Sequence, residues 1–535
     1  MQVATPQTAS SDASRSAAAE GIALIVAVCI YTATASMHLF QPLLDAHAFR
    51  QCQTAVTAEY LAQDLSPWRM FVYETPLLGA PWRIPMEFPL FQWIVALLHR
   101  ATGAEIDLAG RVTAMLFHLA CLWPAWSITR SLGGGFREWA VFATLMLLAP
   151  VYHHWSRSCL IETTAVFLTL GFLAAAIAWV QNGRAWALAL GTMTAVLAAV
   201  VKVTTFPPFA GAAVCYGLWL GLSGSVPRRA LMVRTAVLAV PFGVALACLI
   251  AWVQASDAVK AASPVAVRLT SAALGDWNYG SLAQRLSSQL WLGTIARRAI
   301  PEAGGWLGVA VAAAALVWLR DSRRLLIAFL LLTYIGTFLL FTNLHVVHNY
   351  YQAANGAILI AAITVALAAV SRGWKPIWTA VLLAAVILPN LWSFRFYAAD
   401  EWRDFSRDGR LAAAAVLQER VPADDVIVVA GMDWSSEIAC YAHRRAVYIT
   451  NWFPNDVLAR FVADPTTLTG DHALGACLIV RGSPQFSRRD WGWNPDNNQL
   501  LQTLFENTAG GTTPIEIGPL IIAVAKQPPG NQPEN

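Results

Sequence analysis

Asp45 to Thr54 reads Asp-Ala-His-Ala-Phe-Arg-Gln-Cys-Gln-Thr, a run of ionisable and hydrogen-bonding side chains just after the first long apolar stretch. A helix over 46–64 sets His47, Arg50, Gln51 and Thr54 at spacings of three and four, on one face, with Asp45 at its mouth. A carboxylate, an imidazole and a guanidinium then converge, groups able to move a proton and to hold an anion. The plainer reading makes Asp45 the N-cap of that helix and the rest a wetted face. Four further clusters have the same character. Glu87 stands in Met-Glu-Phe-Pro; His153, His154, Arg157 and Glu162 fall in Tyr-His-His-Trp-Ser-Arg-Ser-Cys-Leu-Ile-Glu; Lys202 opens Lys-Val-Thr-Thr-Phe-Pro-Pro; His345, His348, Asn349, Tyr350 and Tyr351 share His-Val-Val-His-Asn-Tyr-Tyr-Gln.

What must position these residues is a membrane. The 535 residues are 57% hydrophobic and 13% charged, with 23 Trp and a mean hydropathy of +0.51, more apolar surface than a soluble core can hide. The expected fold class is a polytopic α-helical membrane protein with a small C-terminal α/β domain outside the cytoplasm. Runs of about 18–22 apolar residues predict about eleven spans: 21–40, 110–129, 138–155, 159–180, 184–203, 206–222, 231–253, 304–319, 325–342, 352–371 and 376–394. Short connections on one side carry Arg130 and Arg137, Arg184, Arg228, Arg229 and Arg234, Arg320, Arg323 and Arg324, then Arg372 and Lys375. The positive-inside rule makes that side cytoplasmic, with the N-terminus in and the C-terminus out. Phe88 to Leu98 is short, carries Pro89 and ends in His99-Arg100, so it reads as an interfacial helix rather than a span.

This topology divides the chain into a disordered cytoplasmic lead over 1–19, a membrane domain over 20–395 with external loops 41–109 and 254–303, and a soluble domain over 396–535. Removal of residues up to about Ala33-Thr-Ala35 as a signal peptide is the alternative at the N-terminus. All the polar clusters fall on the external side, although the spans are chosen from hydropathy and arginine bias alone. That coincidence implies one polar cavity at the outer leaflet. Each residue has its plainer role. Lys202 could snorkel from a span end, Arg157 and Glu162 could pair, His153 and His154 could be interfacial, Glu87 could face the start of the helix at Pro89, and Tyr350 and Tyr351 could belong to an aromatic belt.

The motifs Asp-x-His-x-x-Arg-Gln-x-x-Thr from Asp45, Glu-Phe-Pro-Leu from Glu87, Ser-Arg-x-x-x-x-Glu ending at Glu162, a lysine (Lys202) ahead of proline, and His-x-Tyr-Tyr from His348 resemble, in combination and order, the GT-C superfamily of lipid-phosphosugar-dependent glycosyltransferases. The nearest branches are the aminoarabinose transferases of lipid A and the protein O-mannosyltransferases, and the resemblance covers about 20–395. It implies a GT-C-like fold and inverting transfer of a sugar from a polyprenyl-phosphate donor to an acceptor hydroxyl at the outer face of an inner (plasma) membrane, with active site and C-terminal domain facing the periplasm. It also implies that Asp45 is the catalytic acid residue. Two departures stand out: Phe88 replaces the lysine of an expected Glu-Lys-Pro, and Ala46 follows Asp45 where the mannosyltransferases carry an acidic pair. Neither family's substrate carries over.

The chemistry then assigns Asp45 as general base, with Arg50, Lys202 and His348 holding phosphate. His47, Glu87, Arg157, Glu162, His345 and Tyr350 complete the expected donor site. The expected partners are the lipid-linked sugar, the membrane and a lipid, glycan or protein acceptor. No metal ligand set and no cofactor is expected, a divalent cation staying open. The rival reading is a transporter, flippase or binding protein for a lipid-linked anionic glycan. Nucleic acid is disfavoured by a net charge of only +4, and nucleotide binding by the lack of a Gly-x-Gly-x-x-Gly or Walker loop.

After Trp392 the pattern changes. An amphipathic helix is expected over 404–420, strands at Val426 to Gly431, Ala476 to Gly482 and Leu520 to Ala525, a helix over 435–445 capped by Asp433 or Ser435, and a frayed end. Of eight cysteines, Cys440 and Cys477 fall in this domain and are the candidate disulfide.

Overall fold

The computed structural model describes residues 6–223, 227–487 and 493–526. The chain forms two compact units: one from 1–39, Arg111–Trp252 and Gly275–Asp400, the other from Phe40–Gly110, Val253–Leu274 and 401–535.

The first unit is helical, and every expected span falls on helix, whole or broken. Among the described residues seven helices are long and apolar enough to cross a membrane: Ile106–Ser131, Glu162–Asn182, Ala185–Lys202, Arg229–Ala261, Ser322–Leu340, Asn349–Val370 and Ile377–Arg395. The other four expected spans are shorter or broken. The first is Gly21–Ser36, the apolar end of α1 (Pro6–Ser36); the lead expected over 1–19 lies partly outside the described residues and is helical from Pro6 on. Phe206–Leu220 is short. The span expected over 138–155 is two helices, Phe136–Leu148 and Pro150–Trp155, because Pro150 has no N–H to continue the first. Gly305–Trp318 is one arm of a pair bent by 90° from Gln289–Ala303. Gly305 makes that corner at φ +68, where a Cβ would run into Asn390.

Within this unit the arginine-bearing connections meet at one end. Arg137 donates to the carbonyl of Ser371 (3.0 Å) and to Thr379 (3.2 Å), Gln181 to the carbonyl of Ser131 (2.6 Å), and Arg234 to that of Gln181 (2.6 Å). Glu162 and Lys202 lie at the opposite ends of their helices from residues 182 and 185. Positive connections and polar clusters thus occupy opposite ends of this unit. It is a multi-pass membrane protein by length, apolarity and fold.

The second unit is built on a five-stranded sheet: β1 Val426–Ala430, β2 Arg445–Ile449, β3 Leu474–Val480, β4 Ile515–Ile517 and β5 Leu520–Val524, in the order β2-β1-β3-β5-β4. The β2, β1 and β3 strands are parallel, and β5 and β4 are antiparallel additions. The three expected strands are β1, β3 and β5; β2 and β4 are additional. Expected helices appear as Gly409–Arg420 and Glu437–Ala442. The frayed end from Pro528 lies outside the described residues.

Residues far from the tail complete its core. Leu77, Leu78, Trp82 and Ile84, with Val265, Ala266 and Leu269, are buried in one cluster with Val426 to Ala430, Ala446 to Ile449 and Ala476 to Leu478. Residues 76–78 lie along the outer edge of β2: Ala446 N–H donates to Pro76 O (2.9 Å) and Tyr448 N–H to Leu77 O (3.0 Å). An edge strand with unpaired backbone groups is thereby covered. Gly79, at φ +90, lets this segment press against the carbonyl of Leu468.

Candidate functional site

The two helices that carry the Asp45 region's chemistry, α2 (Ala48–Gln63) and α3 (Leu90–Thr102), belong to the second unit. Asp45 is not the cap of α2. That position is taken by His47 at φ 55, which makes no side-chain capping bond. The left-handed turn leaves Asp45 two residues ahead of the N-cap, where the Gln51 amide reaches back to its Oδ1 and to Ala46 O (3.0 Å). Asp45 and Gln51 are both buried, so the bond replaces water that the carboxylate has lost.

Arg50 points along another face of α2. Its Nη2 donates to Glu87 Oε2 at 2.7 Å, its Nη1 to Gln53, and Gln92 donates to Glu87 Oε1 at 2.9 Å. Glu87 therefore does more than face a helix start. The loop carrying it is clamped by Tyr73, whose hydroxyl donates to Glu87 O (2.7 Å) and receives Met86 N–H (3.2 Å). Arg50, Gln53, Thr54, Thr57, Tyr73 and Thr75 line a small cleft with Glu87 and Gln92. Its wall sets one ion pair among neutral hydroxyls and amides, with Ile84 and Met86 as its apolar part. The expected face of His47, Arg50, Gln51 and Thr54 is thus split: Arg50 and Thr54 line the cleft, Gln51 serves Asp45, and His47 lies outside the helix.

The remaining expected residues lie in the first unit. Glu162 is the first residue of Glu162–Asn182 and Lys202 the last of Ala185–Lys202. A helix pair that runs out and back brings those ends together, and the acid lies at a positive helix end and the lysine at a negative one. Lys202 Nζ is bonded to Glu162 Oε1, and it lies 4.2 Å from the ring centre of Tyr351 and 5.0 Å from that of Tyr350, a cation–π arrangement. This corrects two plainer readings. Glu162 pairs with Lys202 instead of Arg157, and Lys202 does not snorkel. Arg157 donates to His38 O at 3.0 Å.

His348 stacks on Tyr350 with ring centres 5.2 Å apart, so both tyrosines are part of the Lys202 surroundings rather than a belt. His345 is buried, with Gln352 and Asn355 amides 3.4 Å from its two ring nitrogens. Burial, with Lys202 and Arg298 nearby, pushes it down to about 3; it is a neutral imidazole and holds no anion by charge. His153 is bonded to Thr34 at 3.0 Å and His154 is stacked on Tyr397 at 4.7 Å, both buried and not interfacial. Gln53, Gln92 and Tyr73 were not singled out from the sequence; only Gln53, one helical turn after Arg50 in α2, carried a spacing signal. Glu302, buried at the 90° corner, gave none.

In the tail, Asp433 is not a helix cap either. Its Oδ1 accepts Asn451 N–H (2.9 Å) and its own N–H donates to Gln485 (2.8 Å), tying the ends of β1 and β2 to a loop. Burial is the largest influence on its carboxyl and raises it above the ordinary range.

Neither a scan against protein-family models nor a search of curated proteins found a match. Solved structures do match. The crystal structure of ArnT from Cupriavidus metallidurans bound to undecaprenyl phosphate aligns at TM-score 0.59 and 13% identity, over 94% of this chain and 98% of that one. The fold is the GT-C fold. The apo structure of the same ArnT covers the same shares at 12% identity and TM-score 0.45. The GT-C fold takes in the C-terminal sheet as well as the helices, since the coverage exceeds the roughly 20–395 of the motif resemblance.

Proposed function

We propose that this protein is an inverting glycosyltransferase that moves a sugar from a polyprenyl-phosphate donor to an acceptor hydroxyl at the outer face of the membrane. The observation that carries the reading is the GT-C fold shared over 94% of the chain with a protein crystallised on undecaprenyl phosphate. Four of the expected charged residues support it: Arg50 pairs with Glu87 and Lys202 with Glu162.

Asp45 takes the proton of the acceptor hydroxyl as its oxygen bonds to the anomeric carbon. The bond from that carbon to the phosphate oxygen breaks, and the phosphate leaves with the electron pair. Gln51 aims the Asp45 carboxylate. Arg50 and Lys202 stabilise the charge growing on the phosphate, arginine through directed hydrogen bonds and lysine as a point charge. Glu87 and Glu162 orient these cations. His348 and Tyr350 shape the lysine's surroundings. The end of the helical unit that carries Glu162 and Lys202 faces the periplasm, opposite the arginine-bearing connections.

The test is transfer in vitro from defined polyprenyl-phosphate sugars. Asp45→Asn lowers kcat by about 10²–10⁴ with donor affinity nearly unchanged; a near-normal rate removes Asp45 as the base.

A further inference from the structure

Cys440 does not face Cys477. Cys477 is buried in β3 between the neighbouring strands, whereas Cys440 lies on the helix Glu437–Ala442, which is bonded to α2. The Cys52 thiol of α2 donates to Leu43 O at 3.5 Å, the residue whose N–H is held by Tyr441, next to Cys440. Cys52 and Cys440 are both free and buried. The elements around them are fastened together. Ser436 Oγ donates to Phe49 O at 2.6 Å, Leu43 N–H donates to the Tyr441 hydroxyl, Tyr441 donates to Asp107 at 2.8 Å, and His443 meets Glu59 at 2.7 Å. Two buried thiols on two helices fastened to each other, each influencing the other's ionisation, are the arrangement from which a disulfide can close when the Cα atoms come within about 7 Å.

We propose that Cys52 and Cys440 are a disulfide site, closed when this unit folds in an oxidising compartment. The compartment rests on the outward orientation proposed above; the pairing rests on the packing of the two helices that carry the thiols. A disulfide oxidant of the glutathione or protein class accepts the electrons. One cysteine thiolate attacks it to give a mixed disulfide and one released thiol. The second cysteine then displaces the oxidant's other sulfur, so two protons and two electrons end on two oxidant thiols and one S–S bond joins Cys52 to Cys440. Burial, and then Cys440, hold the Cys52 thiol well above its ordinary range, so exchange belongs to the stage before the helix Glu437–Ala442 covers α2.

The consequence reaches the cleft. Cys52 lies two residues beyond Arg50, so the bond ties the helix that aims Arg50 at Glu87 to the C-terminal sheet domain. It also closes a very long loop, which restricts the unfolded chain.

Full-length protein taken from membranes is alkylated under denaturing conditions before any reductant and digested without reduction. In parallel, purified reduced protein is held for hours with diamide, a small two-electron oxidant that enters by local opening. The expected result is one linked peptide pair joining Cys52 to Cys440, lost in Cys52→Ser and in Cys440→Ser, with the apparent Tm of wild type rising on the order of 5 °C on oxidation. A Cys440–Cys477 peptide, or both thiols still alkylated after diamide, overturns the proposal. Pairing with diamide but free thiols in cells upholds the site and counts against the outward orientation instead.

Discussion

The Lys202–Glu162 pair and the Arg50–Glu87 pair each join a cation to a carboxylate, by different means. The first is made by backbone: two helix ends meet, and the ammonium and carboxylate come with them, their side chains only 9% and 4% exposed. The second is made by side chains. Gln53 and Gln92 hold the free ends of Arg50 and Glu87, Tyr73 fixes the loop, and the pair stays at a cleft with 16% and 12% exposure. A lysine presents the same charge in every direction, so helix ends and two flanking rings suffice to place it. An arginine acts through a planar fork, which has to be aimed. The difference teaches that one cation is set by topology and the other by a local network, and mutations separate the two.

The sharpest way to break the comparison is Glu162→Gln. It leaves the Lys202 ammonium buried without its counter-charge and costs about 3–5 kcal/mol, read as a fall in the detergent-solubilised Tm. Adding Lys202→Met to it recovers much of the loss, because an uncompensated charge costs more than a missing pair. A Glu162→Gln protein that melts like wild type would show that the pair is solvated.

Next in size is Leu78→Ala. This residue is wholly buried in the sheet core yet comes from a loop remote in sequence. The cavity costs about 2–5 kcal/mol. Limited proteolysis should then cut the C-terminal domain first, whereas Glu162→Gln loosens the helices first. Equal loss in both would mean that the units do not unfold separately.

That dependence on Leu78 marks where the sequence stopped being legible. Helices announce themselves by runs of apolar residues, so all eleven expected spans fall on helix, seven of them long and apolar enough to cross a membrane among the described residues, and even the Pro150 break lies at a residue with a known local effect. The sheet's middle was readable for the same reason: Val426 to Ala430 is a continuous apolar run. Long-range partnership leaves no such trace. Nothing in Leu77-Leu78 says that it covers the edge of β2, and Arg445 to Ile449 is too short and mixed to stand out as a strand. At the site, residue types pointed to Asp45, Arg50, Glu87, Glu162 and Lys202, but pairing did not follow from spacing. Arg157 lies five residues from Glu162, a natural partner by sequence, and the partner is Lys202 because the return helix brings it back. Cys440 lies on a helix bonded to the one that carries Cys52, a neighbourhood that spacing could not show either.

Arg50→Lys sharpens the comparison on the other side. The substitution keeps the charge and loses the fork, so Gln53 and Glu87 can no longer be held together. Donor affinity should fall about tenfold, roughly 1.4 kcal/mol, with little change in Tm. Lys202→Arg should do the reverse, disturbing stability through its larger head in a tight aromatic setting. Unchanged donor binding in Arg50→Lys would count against a directional role for the guanidinium.

The smallest effect is a pH dependence confined to the second unit. His443 is bonded to Glu59, and that carboxylate is the main cause of its raised pKa, with burial opposing. A folded-state pKa above the unfolded one means that the pair's contribution is complete below the unfolded value of about 6.5 and is lost as pH rises through the folded value. The His443 side chain is 48% exposed, so the contribution lies in the range of about 0–1 kcal/mol and shrinks with salt. Wild type should therefore melt slightly above Glu59→Gln at pH 6, and the gap should close as pH rises beyond the histidine range. The Lys202–Glu162 pair has no group that changes charge there, so a Glu162→Gln difference should stay constant over the same interval. A gap between wild type and Glu59→Gln that widens with pH would reverse the assignment, since it would make the neutral imidazole the better partner.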